Sequence, residues 1–217
     1  MTMAELVSLV DQLLTVPIDE SERAAGAMLE SWLRAETDAD VRRDDAGNVI
    51  ARKGTGEPSL ALVGHHDVVE PAPDQVADGT ITVRRSADRL HGRGTADMKG
   101  ALGAMLLAFR DASPEQELVF ASFAGEERGG VGARAAIEAG FSPDYAIVGE
   151  GSASYSNGGV LDVAVGHKGR LARTIQVSGT GAHASQPETG DNAIYRAAGV
   201  VDQLRELSAP TASSLST

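Results

Sequence analysis

Pro58-Ser59-Leu60-Ala61-Leu62-Val63-Gly64-His65-His66-Asp67-Val68-Val69 decides how this chain folds. Ser59 to Val63 is a short apolar run closed by Pro58 on one side and Gly64 on the other. That is the pattern of a strand buried on both faces of a parallel sheet. Imidazole and carboxylate follow it at once. In open α/β sheets, ligands gather outside the carboxyl ends of the strands. The same order recurs downstream: Leu118 to Phe123 runs into Gly125-Glu126-Glu127, and Tyr145 to Val148 runs into Gly149-Glu150. Between them, Gly92-Arg93-Gly94-Thr95-Ala96-Asp97-Met98-Lys99-Gly100 places one more carboxylate in a Gly-rich turn. Acidic groups converging at one spot repel each other unless a cation sits among them. A pair of divalent ions is the economical answer.

Working outward, residues 5–14 carry Leu6, Val7, Val10, Leu13 and Leu14 at helical spacing, and Pro17 stops that helix. Asp19 followed by Glu22 has the form of a capping box. It predicts a second helix through about Ala35, with Ala24, Ala25, Met28, Leu29 and Leu33 inward. Asp44-Asp45-Ala46-Gly47-Asn48 is turn chemistry between two short strands, hence a hairpin. Residues 80–84 and 88–91 read as a β excursion. Met98 to Phe109 is helical with Leu102, Met105, Leu106 and Phe109 on one face. Val131 to Ala139 is a helix ended by Gly140, and Tyr145 to Val148 is a third core strand. Strands alternating with helices predict an α/β layer fold. After Glu150 the composition changes. Residues 151–159 read as a loop, and 160–165 and 171–177 as strands joined near His167-Lys168-Gly169. Asn192 to Leu207 reads as a helix, and a Ser/Thr/Ala-rich tail follows.

The 217 residues allow one large domain, or one domain and part of another. No run approaches the ~18 apolar residues of a membrane span, so no membrane partner is expected. Met1 to Asp11 has no signal-like pattern, and the expected location is the cytoplasm. There is no cysteine, so any metal must be held by His and carboxylate. A net charge of -12 argues against a nucleic-acid partner, because phosphate binding needs a basic face. Lys53, Lys99 and Lys168 are the only lysines. An acidic, lysine-poor chain fits a high-salt cytoplasm or a GC-rich coding sequence equally well.

Each cluster has a chemical and a bland reading. His65 can offer a ring nitrogen to a metal. Asp67, two residues on and facing the same way, can support that ring; a solvated turn is the alternative. His66 should point elsewhere. Asp97 opens a helix, so it is a metal ligand or merely a cap. Glu126 and Glu127 end a strand, sharing a cation or lying solvated in a loop. Glu150 closes the third strand in the same way. A carboxylate left free of metal would serve as general base.

The ordered series GHHDVVEP (64–71), HGRGTADMKGALGAML (91–106), GEE (125–127), VGE (148–150) and GAHASQPETGDNAI (181–194) resembles the M20 metallopeptidases. That group includes the desuccinylases, acetylornithine deacetylases, aminoacylases and carboxypeptidase G2. The resemblance implies a three-layer, zinc-peptidase-like catalytic domain with a mostly parallel central sheet, residues 1–166. Residues 167–217 would begin an α+β dimerisation, or lid, domain. It implies two divalent metal ions, usually zinc, with cobalt or manganese as alternatives. His65 then resembles a ligand of one metal and Asp67 the carboxylate that orients it. Asp97 resembles the bridging ligand, with a cis peptide to Met98. Glu126 resembles the general base acting on the bridging water. Glu127 resembles a ligand of the second metal and Glu150 of the first. His183 resembles the lid histidine that reaches the partner subunit's site and steadies the oxyanion; a surface-loop histidine is its alternative.

Three positions depart from the family pattern. His91 stands where Tyr or Trp is frequent. Gly151-Ser152 replaces Pro-Thr or Pro-Ser. A further histidine ligand lies far downstream in the family, so the chain is either a fragment or incomplete at the second metal. The expected function is hydrolysis of the amide bond of a small N-acyl amino acid or short peptide, by a homodimer. The alternative is a catalytically inactive truncated homologue or assembly partner.

Overall fold

The computed structural model of the chain describes residues 2–151, 163–165 and 174–206. Helix α1, Met3–Leu14, opens with a capping box: the Glu5 N–H donates to Thr2 Oγ1 at 3.2 Å, and the Thr2 N–H donates to Glu5 Oε2 at 3.4 Å. Helix α2, Ser21–Glu36, starts differently from expectation. A 3-10 turn over Ile18–Glu20 runs straight into it, and its N-cap, Glu20, makes no side-chain capping bond. The turn supplies a backbone partner there, Ser21 N–H to the Ile18 carbonyl, while the side chain of Asp19, on which the expected box rested, lies outside what the structure describes. Ala25, Leu29 and Leu33 are buried as predicted.

Strands β1 (Asp40–Arg43) and β2 (Val49–Lys53) form the predicted hairpin, with Val41 opposite Ala51. Strand β3, Leu60–His65, forms where the apolar run of 59–63 predicts a strand and continues through Gly64 to His65. Two short ribbons follow: β4 (Val76–Ala77) with β5 (Thr80–Ile81), and β6 (Arg84–Ser86) with β7 (Arg89–His91). Helix α3 covers Gly100–Asp111, strand β8 Leu118–Phe123, helix α4 Val131–Glu138 and strand β9 Tyr145–Val148. Helix α5, Ala193–Arg205, has Asn192 as N-cap, whose side chain accepts the Ile194 N–H at 2.9 Å.

The main sheet runs β1-β2-β8-β3-β9. Strands β8, β3 and β9 are parallel, and the β1–β2 hairpin adds antiparallel pairing at one side. The period of two along β8 divides the core. Leu118 and Phe120 face a cluster with Leu13, Leu29, Leu33, Leu102 and Phe109 from α1, α2 and α3. Ala121 and Phe123 face Ala136 of α4 and Phe141. Helices therefore cover both faces, and the architecture is the expected three-layer α/β fold. Parallel pairing brings the β3 and β8 carboxyl ends side by side, with His65 in register with Phe123.

Strand β9 corrects one expectation. It exists where predicted, but all four of its residues are exposed, Tyr145 at 64%. It pairs with β3 alone at the sheet edge, so it is not a core strand among the described residues. The chain forms two compact units, Met1–Tyr155 and Ser156–Thr217. The strands expected over 160–165 and 171–177 fall partly outside the described residues; 163–165 and 174–177 carry no strand. The His167-Lys168-Gly169 turn and the 208–217 tail lie outside the described residues.

Candidate metal centre

The end of β3 presents His65, fully buried, with its two ring nitrogens facing different partners. Nδ1 lies 3.0 Å from the Asp67 carbonyl and 3.4 Å from Asp67 Oδ1. Nε2 lies 3.0 Å from Asp97 Oδ1 and 3.5 Å from Glu150 Oε1. The backbone and carboxylate of Asp67 thus fix the ring, as a supporting carboxylate does for a metal-binding imidazole, and leave Nε2 aimed at the acidic cluster. One ligand atom each from His65, Asp97 and Glu127 lies within 4.8 Å of the others. His65, Asp97 and Glu127 therefore meet, with Glu150 beside the His65 ring. They come from the end of β3, the turn before α3, the loop after β8 and the end of β9.

Charge in this cluster is out of balance. Burial raises the Glu127 carboxyl, and the nearby charges of Asp97, Glu126 and Asp67 push it the same way against His65. Burial likewise raises Glu150, helped by Asp97, Glu126 and Glu127. Burial alone would depress His65. The hydrogen bond to Asp67, the charges of Glu150 and Asp67, and the hydrogen bond to Asp97 outweigh it and lift the imidazole to about 9. Repelling carboxylates around one imidazole nitrogen form a nitrogen-and-oxygen donor set with no thiolate, suited to zinc or a similar divalent ion. The residues present fit such an ion.

Asp67 also does something its sequence position does not announce. Its Oδ1 accepts the Glu126 N–H and its Oδ2 the Glu127 N–H, each at 3.1 Å. Burial would raise this carboxyl, but His65 and those two backbone donors hold it below the usual carboxylate range. One carboxylate therefore orients both the His65 ring and the loop that carries Glu126 and Glu127. His66 points away as expected: Nδ1 lies 2.9 Å from Ser122 Oγ, and burial pushes it down to about 4.

The Asp97 turn is held from behind. The Asp97–Met98 peptide is cis. Met98 is buried, and its Sδ accepts the His65 N–H at 3.1 Å. A Cβ at Gly64 would meet the Met98 methyl, so a larger residue there would have to displace that side chain. Lys99 is fully buried, and its Nζ donates to the Leu13 carbonyl at 2.8 Å, near the end of α1. Burial pushes this amine down to about 8, against the pull of Asp67.

A family model for peptidase family M20/M25/M40 matches residues 61–213. The chain belongs to this family. Succinyl-diaminopimelate desuccinylase of Stenotrophomonas maltophilia is 36% identical over 175 residues, covering 76% of this chain and 46% of that protein. Acetylornithine deacetylase of Proteus mirabilis is 32% identical over 185 residues, covering 81% of this chain and 46% of that one. The M20 chain thus spans about half the length of the curated relatives it matches. A crystal structure of a tripeptidase from Staphylococcus aureus shares the fold, with TM-score 0.61 and 19% identity over 94% of this chain and 57% of that one.

Two further residues singled out in the sequence, Glu126 and His183, lie in different units. Glu126 follows the β8 end with its backbone on Asp67. His183 lies in the second unit, where its Nδ1 is 2.8 Å from Ser185 Oγ and accepts the Ser185 N–H. Sequence reasoning passed over Met98 and Lys99 as functional supports. A lysine opening a helix reads as a solvated charge, and only its long-range bond to Leu13 shows otherwise.

Proposed function

We propose that the protein of which this chain is part hydrolyses the amide bond of a small N-acyl amino acid or short peptide with the help of divalent metal, most simply zinc. The observation that carries this reading is the meeting of one ligand atom each from His65, Asp97 and Glu127 within 4.8 Å, beside Glu150, in an M20 chain. His65, Asp97, Glu127 and Glu150 would hold two ions. Ions there would polarise the scissile carbonyl and acidify the attacking water. Glu126 serves as general base, taking the proton of that water and passing it to the leaving amine. Asp67 keeps the imidazole and the Glu126–Glu127 backbone in place. His183, in the lid that residues 167–217 begin, steadies the oxyanion in a homodimer. The substrate class follows the relatives, whose names specify a succinylated and an acetylated amine.

The test is turnover of N-acetyl and N-succinyl amino acids and of short peptides by the zinc-loaded protein, beside its Glu126→Gln variant. Loss of at least a hundredfold in kcat with metal content unchanged supports the assignment. Full metal-dependent turnover by Glu126→Gln removes the base. Metal content near zero in the wild type would favour an inactive homologue instead.

A further inference from the structure

The loop between β8 and α4 carries Glu126 and Glu127, and one buried side chain outside the acidic cluster grips both ends of it. Asn48 closes the β1–β2 turn and is fully buried. Its Oδ1 accepts the Ala124 N–H at 3.0 Å. Its Nδ2 donates to the Gly132 carbonyl at 2.9 Å and to Asp44 Oδ2 at 2.8 Å. Asp44 Oδ1 also accepts the Asn48 N–H at 2.9 Å. The three side-chain partners are one donor and two acceptors, so only one orientation of the amide satisfies them.

Ala124 and Gly132 are the neck of the loop. Their backbones close it, with the Gly132 N–H donating to the Ala124 carbonyl at 3.0 Å. A Cβ at Gly132 would collide with Asn48 Oδ1 and the Ala124 carbonyl, so the neck is shaped around the amide. At the crown, Asp67 takes the Glu126 and Glu127 N–H groups. The loop is therefore clamped at neck and crown by two different side chains. A buried amide with both donors and its acceptor engaged has no isosteric substitute. Aspartate there would set a carboxylate oxygen against the Gly132 carbonyl and the Asp44 carboxylate.

We infer that Asn48, held by Asp44, is a positioning residue for the Glu126–Glu127 pair, acting through the neck of their loop. Its importance for turnover rests on the proposed hydrolase reading, but its first readouts do not need activity. Asn48→Asp and the milder Asp44→Asn are compared with Leu33→Ala, a core truncation in α2 that lowers stability without touching the loop. Amide hydrogen exchange over residues 125–131 and zinc affinity by chelator competition are measured on folded protein.

Asn48→Asp should speed loop exchange at least tenfold and weaken zinc 10–100-fold, with kcat reduced more than KM. Asp44→Asn should move the same readouts about threefold, and it decides the matter if Asn48→Asp does not fold. Leu33→Ala, at an equal drop in Tm, should leave both readouts unchanged. Wild-type loop exchange and zinc affinity in the folded Asn48 or Asp44 variants would overturn the inference. So would equal losses in Leu33→Ala. A wild type that binds zinc but cleaves no amide would defeat the hydrolase reading alone and leave these comparisons standing.

Discussion

Strands β8 and β9 look alike in sequence and differ in the fold. Each is an apolar run that ends in glycine and glutamate. All six residues of β8 are buried, between β2 and β3. All four of β9 are exposed, paired among the described residues with β3 alone. Hydrophobicity therefore announces a strand, but its neighbours determine how much of it is covered. The two strands also hold their carboxylates differently. Behind β8, the loop is gripped by Asp67 and Asn48. Strand β9 is anchored at its start, where Ser59 N–H and Oγ donate to Asp144 Oδ2 at 2.7 and 2.8 Å and the Asp144 N–H returns to Ser59 Oγ at 2.9 Å.

The largest test of this contrast is truncation. Phe120 is fully buried, its ring 6.1 Å from Phe109. Phe120→Ala should cost about 3–5 kcal/mol in denaturant unfolding. Ile147→Ala in β9 should cost under about 1 kcal/mol. Equal losses would erase the distinction between centre and edge.

A second test uses pH. His66, bonded to Ser122 of β8, is neutral when folded, with its pKa near 4 against 6.5 for the free group. The unfolded chain takes up this proton first as pH falls. The stability that His66 confers is thus complete above about pH 6.5 and drains away between there and pH 4, up to about 3 kcal/mol. His66→Gln should flatten that part of the stability curve. An unchanged slope would show that the imidazole is not buried against β8.

The smallest effect is expected at β9. The Ser59 N–H and hydroxyl hold Asp144 below the usual carboxylate range. Its contribution is present above the unfolded carboxyl pKa and is lost as pH falls through the lowered one. Asp144→Ala should speed amide exchange severalfold in β9 and leave β8 untouched. Equal acceleration in both strands would mean that they open as one unit.

Local signals carried most of the framework. Pro58 marks the start of β3, which runs through Gly64 to His65, turn residues mark the hairpin, and Gly140 ends α4. The first two helix starts were harder to read. Thr2 and Glu5 form a working capping box that hydrophobic spacing alone overlooks, while a 3-10 turn over Ile18–Glu20 leads into the second helix. The convergence of His65, Asp97 and Glu127 was readable because each acidic group follows a strand or opens a helix. The supports were not. Asp67 reaches partners 59 and 60 residues away, Asn48 partners 76 and 84 away, and Lys99 a carbonyl 86 away. Such bonds depend on how β3 and β8 align, which no local window contains.

The bond from Lys99 to the Leu13 carbonyl means that α1 is coupled to the Asp97 turn rather than a mere cover for it. Shortening the chain from its front by even a few turns would leave an ammonium stranded in apolar surroundings, one residue past Met98. Expression variants trimmed at that end would thus show their damage first as weaker metal retention, at a place far from the cut.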